Sequence, residues 1–419
     1  MAGEMTFKQA ATLLNSIQQQ ATGQSAMVAT DIHSFISCAT TTLATGYDPV
    51  FNAINQVLTR TIFSTRPYSR KFKGLEKTES QWGNHVRKLS IADKPVSDDD
   101  RYKWPVAYDA TQTANPLGNG QSVDQDVINK PEILQTNFYG ANVWEDWYTI
   151  FKDRLDNAFT GPDQLGSFMG MVAGNMSDKL ENIRENISRA ALANFIGGVV
   201  DEAQEGRVVH LLTEYEAATG LKFNTPQEVY QPANFKAFIQ WAYARIAQIS
   251  DMMTERTELF QTVVNGKHVI RHTPKAMQRA FLYAPARHQM NMMAIADTYH
   301  DGLLTMPETE TVNFWQSAET PDSINMKVAR IGTNGAATVS TAAIEQAGIF
   351  GVIIDTEAVG VANTQSWSNP SPFNARGGYT NIWMHETQRI YNDHTEKGVV
   401  LLLDYCARPG GFGRPAIFS

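Results

Sequence analysis

Hydrophobic positions recur most regularly between Gly161 and Gly198. Leu165, Phe168, Val172, Met176, Leu180, Ile183, Ile187, Ala191 and Phe195 follow in steps of three and four, one stripe of an α-helix. Pro162 and Asp163 suit its first turn, the proline by its fixed φ and the aspartate by accepting an orphan amide. Asn175, Asp178, Lys179, Asn182, Arg184, Glu185 and Asn186 fall opposite, on what reads as a wet face. Gly197 and Gly198 predict a left-handed C-cap. Gly166, Gly170 and Gly174 each weaken the first half by about 1 kcal/mol relative to alanine, so packing must hold it. Such a helix reaches roughly 45–50 Å, longer than the core of a small domain. It must run across something.

Elsewhere the pattern is mixed. Phe7, Ala10, Ala11, Leu14 and Ile17 predict one short amphipathic helix, after which QATGQSAMVATDIHS reads as an extended arm. Residues 1–60 hold few aromatic side chains, and are expected to be disordered or ordered only against another surface, such as a neighbouring subunit. Residues 82–91 and 133–147 read as strands, and the long polar connection 95–131 between them reads as a projecting loop or arm. After the long helix come an apolar run at 208–212 and turns at Pro226 and Pro232. Asn234 is then expected to cap a helix whose stripe is Phe235, Phe238, Ile239, Ala242, Ile246, Ile249 and Met253. Asn265-Gly266 centres a predicted hairpin over 262–271. Residues 281–284 predict a buried strand, followed by a helix from Pro285 through Tyr299 with Met292, Ile295 and Tyr299 facing inward. Residues 348–354 predict a core strand and 367–378 a loop. The pattern closes with strands at 382–392 and 399–404 joined by the turn HTEKG. This mixture indicates an α+β fold, and no internal repeat is visible.

Composition narrows the class. The 419 residues suffice for two or three domains, and 42% hydrophobic content is ordinary for a globular chain. With 35 basic and 43 acidic residues the net charge is -8, which argues against a dedicated nucleic-acid binder. Cys38 and Cys406 give no disulfide framework and suit a reducing compartment. The apolar run 399–403 is far short of the ~20 residues a bilayer needs, and the N-terminus does not read as a secretory signal.

Candidate chemistry is sparse. Nucleophile-elbow, Walker, zinc-helix and C-x-x-C motifs are missing from the sequence. Gly118-Asn119-Gly120 and Gly332-Thr333-Asn334-Gly335 lack the frame of a phosphate loop. Asp98, Asp99 and Asp100 read as a solvated turn rather than a calcium site. His268 and His272 fall along a predicted strand, about 13 Å apart, too far to share a metal. His385 and His394, with Glu386, Asp393 and Glu396, read as a polar strand face and turn rather than an acid–base pair. Glu145, Asp146, Asp153 and Asp156 interleave with Trp144, Trp147, Tyr148 and Phe151, the pattern of a packed amphipathic segment. Met169, Met171, Met176, Met290, Met292 and Met293 read as gap-filling core. No catalytic, cofactor-binding or metal residue is assigned, and the expectation is a protein that is not an enzyme and works by contact with its own copies.

The order of elements resembles major capsid proteins of the Hong Kong 97-type fold, and more closely the shell proteins of short-tailed, podovirus-like bacteriophages of the phi-twenty-nine kind. Residues 131–198 carry most of it: NFYGANVWEDW, then FKDRLDNAF, then the long helix. Phe281-Leu282-Tyr283 before a helix, the strand 350–355 and the ending IWMHETQRIYNDHTEKGVVLLLD fit the same order. The resemblance implies an N-terminal arm over 1–75, an extended loop with flanking strands over 76–150 and a peripheral domain with a spine helix over 151–224. An axial domain would take 225–355, and return strands of the peripheral domain with a C-terminal tail 356–419. It implies a subunit that self-assembles as pentamers and hexamers into an icosahedral phage head enclosing double-stranded DNA without specific binding. The implied partners are further copies of the chain, a scaffolding protein, a portal and decoration or head-fibre proteins, with no membrane and no cofactor. Its place would be the virion, after folding in the host bacterial cytoplasm. Departures are an immunoglobulin-like C-terminal module and an acidic built-in scaffold segment, neither of which is read here. Lys94, Lys103 and Lys130 lie in the loop region, yet nothing picks one out for the family's lysine–asparagine cross-link. The alternative is an encapsulin-like nanocompartment shell; another virion component, or a hydrolase using His385 and Glu386, fits less well. In this scheme the long helix packs on 382–392 and 399–403. Its Asn175, Asp178, Asn182 and Glu185 side then faces the shell surface or a neighbour.

Overall fold

The computed structural model describes residues 7–23, 31–60, 68–77, 86–92, 132–139, 141–202, 206–223, 228–229, 231–295, 307–331 and 336–403. The chain opens with three helices, α1 (Phe7–Thr22), α2 (Ile32–Ala44) and α3 (Tyr47–Arg60). Asp31 starts α2 with a capping box: its carboxylate accepts from the Ser34 amide at 2.7 Å, and the Ser34 hydroxyl accepts from the Asp31 amide at 3.0 Å. The arm expected after α1 is thus helical again from residue 32. The surface that orders this region belongs to the same chain. Leu14, Ile17, Phe35, Val50, Phe51 and Ile54 are buried together, and they share that cluster with residues from 150 to 176 of the same chain.

Next come β1 (Val86–Ile91), β2 (Ile133–Phe138) and β3 (Ala141–Phe151), then α4 (Lys152–Ala158) and the long helix α5 (Pro162–Glu202). The projecting connection expected at 95–131 lies outside the described residues. At 41 residues α5 is about 60 Å long. Leu165, Phe168, Met169 and Val172 close the N-terminal cluster, while Ala191, Leu192, Phe195, Ile196 and Val199 belong to a second core. Between those apolar ends the helix has a polar waist.

Two expectations about α5 are corrected. Gly197 and Gly198 do not cap it, because the helix continues to Glu202. Their role is close approach: a Cβ on Gly198 would lie 2.1 Å from Nε2 of His394, and one on Gly197 2.5 Å from Cγ2 of Val328. Asn175, Asp178 and Asn182 are exposed as expected, but Glu185 is buried. Residues 68–72 lie along that side of the helix. The Tyr68 amide donates to Asp178 at 2.9 Å, the Lys71 amide donates to Glu185 at 3.1 Å, and Arg70 pairs with Glu181.

The remaining elements are β4 (Val208–His210), α6 (Leu211–Thr219), α7 (Pro232–Thr254), β5 (Gln278–Tyr283), α8 (Ala284–Ile295) and β6 (Glu308–Val312). Four short strands follow, β7 (Ile324–Met326), β8 (Ala329–Ile331), β9 (Ala337–Val339) and β10 (Ile344–Gln346). Last are β11 (Ile349–Asp355), β12 (Val359–Pro370), β13 (Tyr379–Asn392) and β14 (Gly398–Leu402). A five-stranded sheet has the order β4-β14-β11-β5-β6. Every residue of β11 and β14 is buried, as expected for strands covered on both faces. Phe238, Ile246, Ile249 and Met253 of α7, with Leu211, Leu212 and Met290, cover one face. The C-terminal half of α5, with Phe72 and Trp315, covers the other. A three-stranded antiparallel sheet, β12-β13-β3, lies along α5, and Ile150 and Ile382 enter the first cluster from it.

Tertiary context also moved four local features. Gln231, not Asn234, precedes α7, and the Asn234 side chain donates instead through Nδ2 to the Glu228 carbonyl at 3.0 Å. Asn265 and Gly266 both have positive φ, 49° and 71°, as the predicted turn requires, but only Val264 and Lys267 bridge across it. Residues 367–370, expected in a loop, extend β12 because they pair with 382–385 of β13. The closing strands β13 and β14 do not pair with each other. They belong to different sheets, and HTEKG is a buried crossing between them.

Candidate assembly surface

Two parts of the subunit present apolar side chains that the described chain does not cover. The first is the β1–β2 hairpin, paired antiparallel from Val86↔Phe138 to Ile91↔Ile133. Its alternation is inverted relative to a strand that packs on its own core. Lys88, Ser90, Leu134 and Phe138 face the body, whereas Leu89 (62% exposed), Ile91 (60%) and Ile133 (64%) face outward with Arg87. On the inner face Leu134 packs with Val264 and Val269, and the Phe138 ring lies 5.7 Å from that of Tyr391.

Lys88 is the polar anchor of that inner face. Its Nζ lies 3.0 Å from Asp393 Oδ2, contacts Glu396 Oε1 and stands 3.6 Å from Glu357 Oε2. Arg271 completes the cluster: Nε sits 3.1 Å from Glu396 Oε1, and the guanidinium donates to the Thr395 carbonyl and the Ser90 hydroxyl. Burial pulls the Lys88 pKa down, but Asp393 and Glu396 together hold it above its ordinary value. Burial also works to raise the Asp393 carboxyl, yet Lys88 and Arg271 keep it below the usual aspartate value.

Behind this cluster the 393–398 crossing is organised by a wholly buried Arg207. Its guanidinium donates to the carbonyls of His394 (2.8 Å), Gly398 (3.3 Å) and Glu396 (3.3 Å), and pairs with Glu202 at 3.0 Å. Burial lowers its pKa to about 10, so it remains charged at neutral pH. The His394 ring stacks on Phe195 with centroids 5.2 Å apart, its Nε2 is 3.4 Å from the Asn194 carbonyl, and Nδ1 has no partner. Burial, then repulsion by Arg207, drives its pKa to about 4. A base with a depressed folded pKa stabilises the fold above its unfolded value and loses that contribution as pH falls toward the folded one. Between pH 6.5 and about 4 the subunit is therefore expected to lose on the order of 3 kcal/mol through this residue. Urea unfolding at pH 7 and pH 4 checks it: His394→Gln should flatten the pH dependence, and an unchanged slope would contradict the assignment.

The second uncovered surface is the outer face of the β12-β13-β3 sheet. Register puts Val143, Glu145, Trp147, Thr149 and Phe151 there, opposite Thr387, His385, Trp383, Asn381 and Tyr379. Trp147 and Trp383 pack with centroids 5.3 Å apart, Phe151 meets Tyr379 edge-on, and Trp367 stacks on His385 at 3.9 Å. Val143, Trp147, Phe151 and Trp367 are nevertheless about half exposed or more. Such a contiguous aromatic face marks an interaction surface.

The residues weighed for chemistry in the sequence are dispersed. His385 lies on this outer face with Glu145 at 3.8 Å, and His394 is inside the core, so the two form no acid–base pair. Glu386 faces inward, holding Arg184 through two contacts at 2.7 and 2.9 Å. Asp393 and Glu396 lie at the turn expected there, but it is buried rather than a polar surface. His268 pairs with Glu258 at 2.8 Å, Asp146 with Lys179 at 3.0 Å, and Asp156 accepts from the Tyr47 hydroxyl. Among the described residues no group of three or more His, Cys, Asp or Glu is placed to hold a metal ion, and no helix is long and apolar enough to cross a membrane. Asp98–Asp100, both glycine turns and Lys94, Lys103 and Lys130 lie outside the described residues. Lys88 and Arg207 carry no signal in the sequence pattern, and the turn HTEKG reads there only as a connection. A signal was available in VRKLSI, where the apolar Leu89 and Ile91 share a face with Arg87.

The fold is shared with solved phage structures. The capsid of Staphylococcus phage Andhra aligns with a TM-score of 0.52 at 11% identity, over 82% of this chain and 86% of that one. A chain in the structure of the head fibre and inner core protein gp22 of native bacteriophage P68 aligns with a TM-score of 0.50 at 11% identity, over 82% and 87%. At that identity the likeness is one of fold, and the fold is that of a phage capsid subunit. No curated protein sequence matches the chain. The profile of the Phi29-like phage major capsid protein family matches residues 12–402, and the chain belongs to that family. It is thus a structural protein of the virion, which self-assembles into the shell; the nanocompartment alternative is not favoured.

Proposed function

We propose that the chain forms pentamers and hexamers of an icosahedral, Hong Kong 97-type head that encloses double-stranded DNA. One observation carries this reading: the subunit exposes two separate apolar surfaces, the outer face of β1–β2 and the aromatic face of β12-β13-β3. Different surfaces meeting head to tail generate rings when the rotation closes, which is the geometry of a capsomer. The hairpin of one subunit lies on the sheet of the next, with Leu89, Ile91 and Ile133 on Trp147 and Trp367, and Arg87 near the exposed Glu145. In this scheme α5 and the three-stranded sheet build the peripheral part, and the five-stranded sheet with α6, α7 and α8 the axial part. A separate scaffolding protein, a portal and decoration or head-fibre proteins complete the head in the host cytoplasm. The net charge of -8 keeps packaged DNA from adhering to the wall.

Leu89→Asp with Ile133→Asp tests the contact. Both positions are solvent-exposed in the single subunit, so its unfolding free energy should change by less than about 0.5 kcal/mol. Negative-stain electron microscopy and light scattering, with scaffold supplied, should show shells for the wild type and only small species for the variant. Wild-type yields of closed shells from the variant would refute the docking.

A further inference from the structure

The hairpin is joined to the body at points rather than along a continuous core. Among its described residues none belongs to the three large apolar clusters, and Leu134 enters a small one with Val264 and Val269. Beside it an open cleft of about 260 Å³ is lined by Arg87, Lys88 and Phe138 of the hairpin and by Lys77, Glu357 and Tyr391 of the body. Apart from those apolar touches, the attachment is ionic. Lys267 and Glu132 meet at 3.4 Å in solvent, a weak contact by its exposure. Lys88 is different: it leaves the hairpin and ends between two carboxylates that are almost wholly buried.

Those carboxylates are themselves fixed. The Asp393 amide donates to the Ala358 carbonyl at 2.7 Å, and the Asp393 carboxylate accepts from the Thr395 amide and hydroxyl. Arg207 holds the backbone of 394, 396 and 398 in place, and residue 398 starts the central strand β14. A rigid line therefore runs from the five-stranded sheet through the crossing to a single ammonium on the hairpin.

We infer that Lys88 is a positioning residue: held by Asp393 and Glu396, it sets the direction in which the β1–β2 hairpin leaves the subunit, and so where the hairpin meets its neighbour. The part concerning the neighbour rests on the docking proposed above; the part concerning direction does not. Removing the ammonium leaves Leu134 and Phe138 as soft contacts beside the open cleft, and the hairpin swings while the body stays folded. Ser90, whose hydroxyl is 3.4 Å from Arg271, is too weakly bound to replace it.

Hydrogen exchange read by mass spectrometry on the unassembled full-length chain tests this directly. In Lys88→Met, amides of β1 and β2 are expected to exchange at least about tenfold faster, with β11 and β14 unchanged. Lys88→Met leaves two buried carboxylates facing Arg271 alone, which threatens folding itself. The paired variant Lys88→Met/Glu396→Gln removes one charge of each sign and must show the same selective loosening. Lys88→Arg restores an ion pair, and protection should return to within about threefold of the wild type. The inference is overturned if the folded paired variant keeps wild-type protection in the hairpin, or if β11 and β14 loosen equally, which marks a merely structural role. A second arm measures the diameters of assembled particles, expected to broaden in the paired variant and recover with Lys88→Arg. Uniform diameters with a loosened hairpin would remove the docking but leave the positioning role standing.

Discussion

Arg207→Met is expected to destabilise the free subunit by about 3–5 kcal/mol, the usual cost of deleting one member of a buried ionic group. The guanidinium is completely buried and donates to three carbonyls of the 393–398 crossing while pairing with Glu202. Methionine keeps most of the volume but supplies no donor. Three buried carbonyls would then lose a donor and the Glu202 carboxylate its cation, losses of about 1–3 kcal/mol for a buried group left unpaired, which rearrangement of the backbone can reduce. Urea unfolding followed by tryptophan fluorescence measures the loss. Arg245→Met serves as the reference, because its pair with Glu214 is partly solvated and worth under about 1 kcal/mol. Equal effects of the two substitutions would show that the crossing does not depend on Arg207.

Glu185→Lys is expected to cost the subunit a similar 3–5 kcal/mol, although its place in the helical pattern suggests a harmless surface change. Glu185 accepts from the Tyr68 hydroxyl and the Lys71 amide, and pairs with Arg189 at 2.6 Å. Burial works to raise its pKa, yet these partners together hold it below the ordinary glutamate value, while the bond from Tyr68, with burial, pushes that phenol up to about 12. A lysine would set a second cation against Arg189, whose guanidinium lies 3.7 Å from the centre of the Phe314 ring. Residues 68–72 should detach from α5 and become sensitive to protease. Asp178→Lys at an exposed position should cost less than about 1 kcal/mol. If both substitutions leave stability and proteolysis unchanged, the 68–72 segment is not held as described.

Those two residues show where sequence reading stopped. Apolar stripes in α5 and α7, and the runs that became β5, β11 and β14, were legible because each pattern is local and strongly periodic. Glu185 has the neighbours of a solvated helix face, and only a segment more than a hundred positions earlier makes it buried. Gly197 and Gly198 have the chemistry of a cap, and only His394 and Val328, brought from elsewhere, give them a packing role instead. Asn369 and Pro370 read as loop, yet pairing with β13 extends the strand through them. Phe35 and Phe51 are too few for a core of their own, and Phe159 and Phe168, distant in sequence, complete it. The order of elements was readable and the class of protein followed from it. The assembly surface was not, because its signal is apolar residues on the wrong side of a strand.

The placing of β14 bears on when the subunit comes into being. β14 sits between β4, its parallel neighbour, and β11. A ribosome adding about 5–20 residues per second reaches β14 roughly 10–40 s after leaving β4. Throughout that interval β4 has no strand to join, and the carboxylates that grip Lys88 do not yet exist. A nascent or prematurely ended chain therefore carries a hairpin with nothing to aim it. The central sheet therefore closes only once synthesis has passed residue 402.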